Sequence, residues 1–412
     1  MKPIDASSYG IDIPEHTKSE VDTFIAAAAL TAPALAQQSP SERAQLLREI
    51  ASQIQASRAA LIESACAETA LPEGRIAGEI TRTTVQFELF ARLVESGKHL
   101  GVVIDKADPN YSPAPRPDLR KLNQPLGVVA IFAASNFPLA FSVAGGDAAS
   151  AIAAGNPVVA KAHPSHPNTC AIIEKAIKSA FTKCKLSENI YAIVQGTNPQ
   201  ISHWLALHPA IKAIGFTGSE IVGRILVDLA ATREEPIPVY AEMGSLNPVF
   251  VTASAIADRS EALAKGLVDS ALMGSGQFCT KPGLIFSPDN GEFISTIKSH
   301  LATLSVAPLL SKSIAERYSK AIAGLAAAGK VEIASGITNA DGFGVTPTIF
   351  LTDWATASQN PELLAEHFGP TTVVITSDEK AFPTIASALH GQLTATIQGT
   401  DADNVADLLA VL

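Results

Sequence analysis

Cys279 lies in the run GSGQFCTKPG, Gly274 to Gly283, between a glycine-rich approach and a Pro282–Gly283 turn. That setting predicts a thiol in a loop near a helix end. There a thiolate could attack substrate, and backbone amides could lower the thiol pKa and supply a donor for an oxyanion. Lys281, two residues on, would add to the thiolate fraction. The plainer alternative is a buried cysteine that packs as a small hydrophobe. In SNFPLAF, Asn136 is expected after a strand and before a proline-started helix. Its carboxamide donates a hydrogen bond at every pH, which suits an oxyanion hole, or it merely caps that helix. Glu242 closes the run PVYAEM beside Gly244. A carboxylate with apolar neighbours at a domain boundary suits a general base near neutral pH, the alternative being a surface glutamate at a strand end.

A second set of residues points to a nucleotide. Lys161 ends PVVAK, so its ammonium should emerge at the carboxyl edge of a sheet, over a ribose or phosphate or simply in solvent. FTGSEIVG, Phe216 to Gly223, reads as a strand, a Gly-Ser turn and a helix whose first amides could take a phosphate. Glu366, in AEHFGPTT, could bond ribose hydroxyls or cap the Gly-Pro turn after it. Arg224 and Ile225 stand where a Walker loop needs Lys and Ser/Thr, and the chain has neither GxGxxG nor GxSxG. His163, His166 and Cys170 are not expected to hold zinc, because two prolines stiffen the segment and a structural site wants four ligands in recognised spacings.

The elements that must position these groups follow from composition and pattern. A chain of 412 residues, 47% hydrophobic and 17% charged, predicts two or three packed domains. A net charge of -10 leaves no basic footprint for nucleic acid or an anionic membrane. Four cysteines without CxxC pairing, and an amino end (MKPIDASSYGIDIPEH) without an apolar core, point to a reduced, cytoplasmic setting. The alanine-rich run Phe24 to Ala36 is too short to span a bilayer.

From about Ser19 to Gly97 the pattern is helical, with Ser39 and Pro40 opening a helix that repeats Leu46, Leu47, Ile50 and Ile54 on one face. Asp108 to Gln124, with four prolines, should be a linker or projecting edge ribbon. Then short apolar runs at 126–132, 157–160, 191–195, 211–216 and 238–243 alternate with helical segments at 141–154, 169–181, 202–207 and 220–231. This is the sequence form of a parallel α/β sheet covered on both faces, which commonly binds a nucleotide at its carboxyl edge. A second α/β unit is expected beyond Gly244 to Asn247, with strands at 248–251, 283–286, 371–376 and 393–397. Its helices are expected at 254–274, 292–304, 313–328 and near 380–389, with a last one from Asp401.

Taken in order, PRPDLR, SNFPLAFSVAGGDAASAIAAGNPVVAKAHPSHP, IKAIGFTGS, EPIPVYAEMGSLNPVFV and GQFCTKPGLIF resemble the aldehyde dehydrogenase superfamily over nearly the whole chain. Within it they are similar to the 2-oxoglutarate semialdehyde dehydrogenase branch, which also includes NADP-dependent fatty aldehyde dehydrogenases. The resemblance implies an α/β fold with a Rossmann-like cofactor domain (1–107 and 125–245), an oligomerisation ribbon (108–124) and a catalytic α/β domain (246–412). It implies that Cys279 is the nucleophile, Glu242 the general base and Asn136 the oxyanion donor. It places Lys161 on the adenosine ribose, Gly218 and Ser219 at the pyrophosphate, and Glu366, with Phe368, at the nicotinamide end. Many NAD-specific relatives carry a glutamate three residues after the lysine; here Pro164 stands there, which allows NADP as well as NAD and leans towards NADP. The implied partners are a small aldehyde and further copies of the chain, as a homodimer or homotetramer. Relatives of this kind continue for several tens of residues beyond LLAVL, so the catalytic domain is expected to be incomplete. The alternatives are a long-chain aliphatic aldehyde as substrate, or a catalytically silent protein that keeps the fold and binds nucleotide or a partner.

Overall fold

The computed structural model describes residues 1–8 and 15–412. Residues 9–14, which fall within the expected first domain and the amino end read above, lie outside the described residues. The described residues form two compact units that divide between Met243 and Gly244.

The unit ending at Met243 begins with four helices, α1 (Lys18–Ala36), α2 (Pro40–Ala56), α3 (Arg58–Thr69) and α4 (Glu73–Glu95). Reciprocal capping boxes open the first two: Thr17 with Glu20, and Ser39 with Glu42 ahead of Pro40. Leu46, Leu47, Ile50 and Ile54 of α2 are buried on one face, as their spacing predicts. A two-stranded antiparallel ribbon follows, β1 (Val103–Asp105) and β2 (Leu119–Lys121), and all six of its strand residues are exposed. It starts earlier than the proline pattern indicated, and an Asp108–Arg116 bridge extends it.

The body of this unit is a five-stranded parallel sheet in the order β5-β4-β3-β6-β7. Its elements run β3 (Val128–Phe132), α5 (Gly146–Ala153), β4 (Val158–Lys161), α6 (Pro167–Lys183), β5 (Tyr191–Val194), α7 (Gln200–Leu207), β6 (Ile211–Thr217), α8 (Glu220–Ala231) and β7 (Val239–Glu242). Both faces of the sheet are buried, since successive residues of β3 enter opposite cores: Val129 and Ile131 one, Val128, Ala130 and Phe132 the other. The helix expected from Phe141 begins only at Gly146. Backbone groups ahead of it are bonded elsewhere: Leu139 and Ala140 N–H donate to the Glu79 carboxylate, and Ala134 N–H donates to the Phe141 carbonyl.

The unit from Gly244 has a six-stranded sheet in the order β10-β11-β12-β9-β8-β13, parallel except for the β10–β11 pair. In chain order it contains β8 (Val249–Val251), α9 (Ala253–Leu272), β9 (Leu284–Ser287), α10 (Gly291–Leu301), α11 (Lys312–Ala326), β10 (Glu332–Ser335) and β11 (Thr348–Asp353). Next come α12 (Trp354–Ala357), β12 (Thr371–Thr376), α13 (Phe382–Ala388), β13 (Thr396–Gln398) and α14 (Ala406–Leu409). β10 and β11 had no counterpart in the sequence reading, and the last helix is a single turn starting later than Asp401. Residues 1–8 also belong to this unit, not to the first domain as expected. Phe343 N–H donates to the Pro3 carbonyl at 2.9 Å, which ties the amino end to the Asp341–Phe343 turn.

Candidate active site

In the first unit, Asn136 lies in an irregular turn between β3 and α5, so the capping role has no helix to act on. Two anchors fix this turn. Arg75 of α4 donates from Nη2 to the Asn136 carbonyl at 3.1 Å and from Nε to Glu79 at 3.0 Å, while its guanidinium carbon lies 4.5 Å from the Phe137 ring centre. His166, wholly buried and pushed down to about 4 by that burial, is a neutral ring. It donates from Nε2 to the Ala134 carbonyl at 3.0 Å and therefore accepts the Cys170 thiol at Nδ1, 3.3 Å away. Asn136 itself is 8% exposed.

Lys161 ends β4, as expected, but its ammonium is partly committed: Nζ donates to the Ala162 carbonyl at 2.8 Å and the Gly196 carbonyl at 2.7 Å. Burial pulls it down to about 8, against the charge of Glu15. With two of three N–H donors spent, one remains for a ligand. Pro164 is exposed. Gly218 and Ser219 are exposed at the turn into α8, where Ser219 is the N-cap but its hydroxyl makes no capping bond. The Gly218 N–H donates to the Glu242 carbonyl at 3.0 Å, which fixes that turn to the end of β7. This donor set, an uncommitted hydroxyl at a helix amino end and a strand-end ammonium, fits the phosphates and ribose of a dinucleotide. Glu242 ends β7 as an exposed residue, not a carboxylate enclosed by apolar neighbours as expected. Asp147 is a neighbour that the sequence reading did not single out. Its carboxyl is pushed up, first by desolvation where it lies against Gly215 and then by the charge of Glu242.

In the second unit, α9 ends at Leu272, and Gly274, Ser275 and Gly276 take left-handed φ of 58°, 57° and 65°. Cys279 follows as a half-buried turn residue. It stands after the carboxyl end of a helix, so the amides of that helix's amino end are not what faces the thiol. The turn is held by Asn247, 3% exposed and itself at φ 47°. Asn247 Nδ2 donates to the carbonyls of Cys279 at 2.7 Å and Lys281 at 2.8 Å, while its Oδ1 accepts from Ser245 Oγ at 2.7 Å and Thr394 Oγ1 at 3.2 Å.

Lys281 does not serve the thiol as expected. Its ammonium, 5% exposed, donates to the carbonyls of His367 at 2.7 Å, Gly369 at 3.1 Å and Thr371 at 2.8 Å. Burial pulls it down to about 8, opposed by the charge of Glu366. It thereby ties the Cys279 turn to the loop that carries Glu366 and Phe368, both half-buried. Close backbone contact reinforces this. Gly369 N–H donates to the Gly276 carbonyl at 3.3 Å, and any Cβ on residue 276 would overlap the Gly369 carbonyl. The Glu366 carboxylate lies against the bare α-carbon of Gly244, where a Cβ would also overlap it.

The other three cysteines are poor nucleophiles. Cys170 is fully buried and pushed up to about 12, and Cys66 on α3 and Cys184 after α6 are raised by desolvation first, then by Glu73 and Glu49. Sequence reasoning also missed Asn247, although an asparagine just before a proline in SLNPV is a turn signal.

Residues 1–411 match the profile described as the aldehyde dehydrogenase family. The chain is 40% identical to alpha-ketoglutaric semialdehyde dehydrogenase 2 of Azospirillum brasilense, over 98% of this chain and 77% of that protein. It is 39% identical to alpha-ketoglutaric semialdehyde dehydrogenase of Acinetobacter baylyi, over 98% of this chain and 78% of that protein. Among solved structures, glyceraldehyde-3-phosphate dehydrogenase of Methanocaldococcus jannaschii complexed with NADP superposes with a TM-score of 0.84 at 22% identity, covering 100% of this chain and 88% of that one. An NAD-dependent benzaldehyde dehydrogenase of Corynebacterium glutamicum gives 0.83 at 23% identity, with 100% and 88% covered. At such identities the structural matches speak for the fold.

Proposed function

Because the chain belongs to the aldehyde dehydrogenase family, we propose that it oxidises 2-oxoglutarate semialdehyde (2,5-dioxopentanoate) to 2-oxoglutarate with NAD or NADP. The observation that carries this choice of aldehyde is the likeness, at about 40% identity over 98% of the chain, to two enzymes named for that substrate.

Cys279 is the nucleophile, held in a turn whose carbonyls Asn247 pins. Its thiolate adds to the aldehyde carbon and forms a hemithioacetal alkoxide. Asn136, through its side-chain amide, and the Cys279 backbone N–H donate to that alkoxide. Collapse of the alkoxide to a thioester on Cys279 releases a hydride, for which bound NAD(P) would supply the two-electron acceptor. Glu242 takes a proton from water, which attacks the thioester, expels the thiolate and yields the carboxylate. In sum, aldehyde, water and oxidised cofactor give carboxylate, reduced cofactor and two protons.

Lys161, Gly218 and Ser219 hold the adenosine ribose and pyrophosphate, and Glu366 with Phe368 the nicotinamide end. Pro164 puts no carboxylate near the 2′ position, which favours acceptance of NADP. The exposed ribbon β1–β2 offers unpaired edges for a homodimer or homotetramer. No helix among the described residues is long and apolar enough to cross a membrane, and the four cysteines form no disulfide, in keeping with a cytoplasmic enzyme. Steady-state kinetics with 2,5-dioxopentanoate, hexanal and longer aldehydes, each with NAD and NADP, test the assignment. A clear preference for the dicarbonyl acid is expected, and its absence would remove the substrate while leaving the family.

A further inference from the structure

We propose that Arg82, on α4, is a specificity-determining residue that binds the carboxylate of the substrate; this rests on the semialdehyde assignment above. An aldehyde that ends in a carboxylate differs from a neutral one of equal length by a charge, and withdrawing that charge from water is costly unless a cation meets it. Arg116 and Arg120, in the ribbon, are engaged there. Arg116 donates to the Lys106 carbonyl at 3.2 Å and stacks on Tyr111 at 4.8 Å, and Arg120 pairs with Asp118 at 2.9 Å.

Beside the Asn136 turn stand two other arginines. Arg75 is spent on Glu79 and the Asn136 carbonyl. Arg82 is different: its guanidinium carbon lies 4.6 Å from the Phe141 ring centre and 5.7 Å from that of Phe137, and it has no hydrogen-bond or ion-pair partner among the described residues. Glu79, three residues back on the same helix, is taken by Arg75 and the amides of Leu139 and Ala140. Stacking on the two rings positions the cation without neutralising it, and leaves its planar fork of N–H donors open for bidentate binding of a carboxylate.

The two rings pack edge to face at 5.0 Å, and Phe137 directly follows Asn136. An aldehyde oxygen at the Asn136 amide would thus have an apolar wall and then a cation along its length. In 2,5-dioxopentanoate the aldehyde and carboxylate carbons are four bonds apart, about 5 Å when extended.

The test measures kcat and KM for 2,5-dioxopentanoate and for pentanal in the wild type, Arg82→Met, Arg82→Lys and, as a control on the same helix, Arg92→Met. In Arg82→Met, kcat/KM for the acid should fall roughly 30- to 100-fold, mainly through KM, while that for pentanal changes less than about threefold. Arg82→Lys should fall between, because an ammonium keeps the charge and loses the fork. Added salt should raise KM for the acid in the wild type more than in Arg82→Met. Equal losses for acid and pentanal would overturn the inference in favour of a packing role, as would a preference for the acid that survives Arg82→Met. A wild type indifferent between acid and pentanal would instead refute the semialdehyde assignment, independently of any variant.

Discussion

Replacing Lys281 by methionine keeps the length of the side chain and deletes three N–H donors from a place where they meet the carbonyls of His367, Gly369 and Thr371. Hydrogen bonds from a charged group are worth about 1.5–3 kcal/mol each, so their sum is roughly 4–9 kcal/mol. Against this stands the cost of burying the ammonium. Its pKa is pulled from the ordinary 10.5 to about 8, which corresponds to about 3 kcal/mol that the variant no longer bears. The expected net loss is about 1–6 kcal/mol near pH 7, or roughly 2–20 °C in the melting temperature of this unit. The sign with pH is a separate signature. Between about 8 and about 10 the unfolded chain binds this proton and the folded chain has released it, so wild-type stability rises with pH in that window. Lys281→Met lacks the group, and its deficit relative to wild type should therefore widen from pH 7 to pH 9.5 by about 2 kcal/mol. Thermal melts of both proteins at the two pH values, followed by circular dichroism, provide the measurement. A melting temperature within about 2 °C of wild type at pH 7, or a deficit that narrows at high pH, would refute the reasoning.

Lys161, pulled down to about 8, should lose its charge as pH rises through that value, so kcat/KM for NADP should decline above pH 8 more steeply than kcat/KM for NAD; parallel profiles would separate Lys161 from the 2′-phosphate. Cys279→Ala should abolish NAD(P)H formation and the labelling by iodoacetamide that accompanies inactivation, whereas Cys170→Ala, deep in the core and hydrogen-bonded to His166, should keep turnover and cost stability alone. Gly244→Ala should raise KM for the cofactor with little change in melting temperature, because the new methyl displaces the Glu366 carboxylate and no core residue; unchanged KM would count against a cofactor role for Glu366.

The parallel sheet of the first unit was legible because its inner strands are buried on both faces, and continuous apolar runs such as VVAIF and YAIV result, whereas the edge strand β7 alternates half-buried and exposed residues. β11 escaped notice for a local reason: TIFLTD is broken by threonines and enclosed by Pro347 and the one-turn α12, so no alternation and no long apolar run announces it. β10 is exposed at three of its four residues, an edge with almost no hydrophobic signature. The candidate residues were legible by type and order, Cys279 in its glycine-flanked run above all. The direction in which Lys281 points was not, because a lysine two residues from a cysteine can face the thiol or turn inward, and only the three carbonyls of the 367–371 loop decide between these. Arg82 was invisible for the same reason. Its spacing on α4 says that it is exposed, while the two phenylalanine rings beneath it come from a turn some fifty residues away in the chain.

The Cys279 turn shows why such inward-facing polar groups matter to the chemistry. Three consecutive left-handed residues precede it, a conformation that disfavours Ser275 and is sustained only where neighbours fix it; the Ser275 hydroxyl is held by the Ala307 carbonyl at 2.8 Å. Carbonyls on both sides of Thr280 are gripped by one buried amide, Asn247, whose own oxygen is satisfied by Ser245 and Thr394. A donor that must stabilise an alkoxide contributes most when it needs no reorganisation as charge develops. Pinning the carbonyls of residues 279 and 281 removes freedom from the backbone that carries the Cys279 N–H, which suits it to the proposed role. The same grip through Lys281 extends to the loop with Glu366, so the thiol-bearing turn and the loop proposed to meet the cofactor are fixed as one piece of the second unit. Loosening either Asn247 or Lys281 would then degrade nucleophile placement and cofactor affinity together, which distinguishes a shared scaffold from two independent sites.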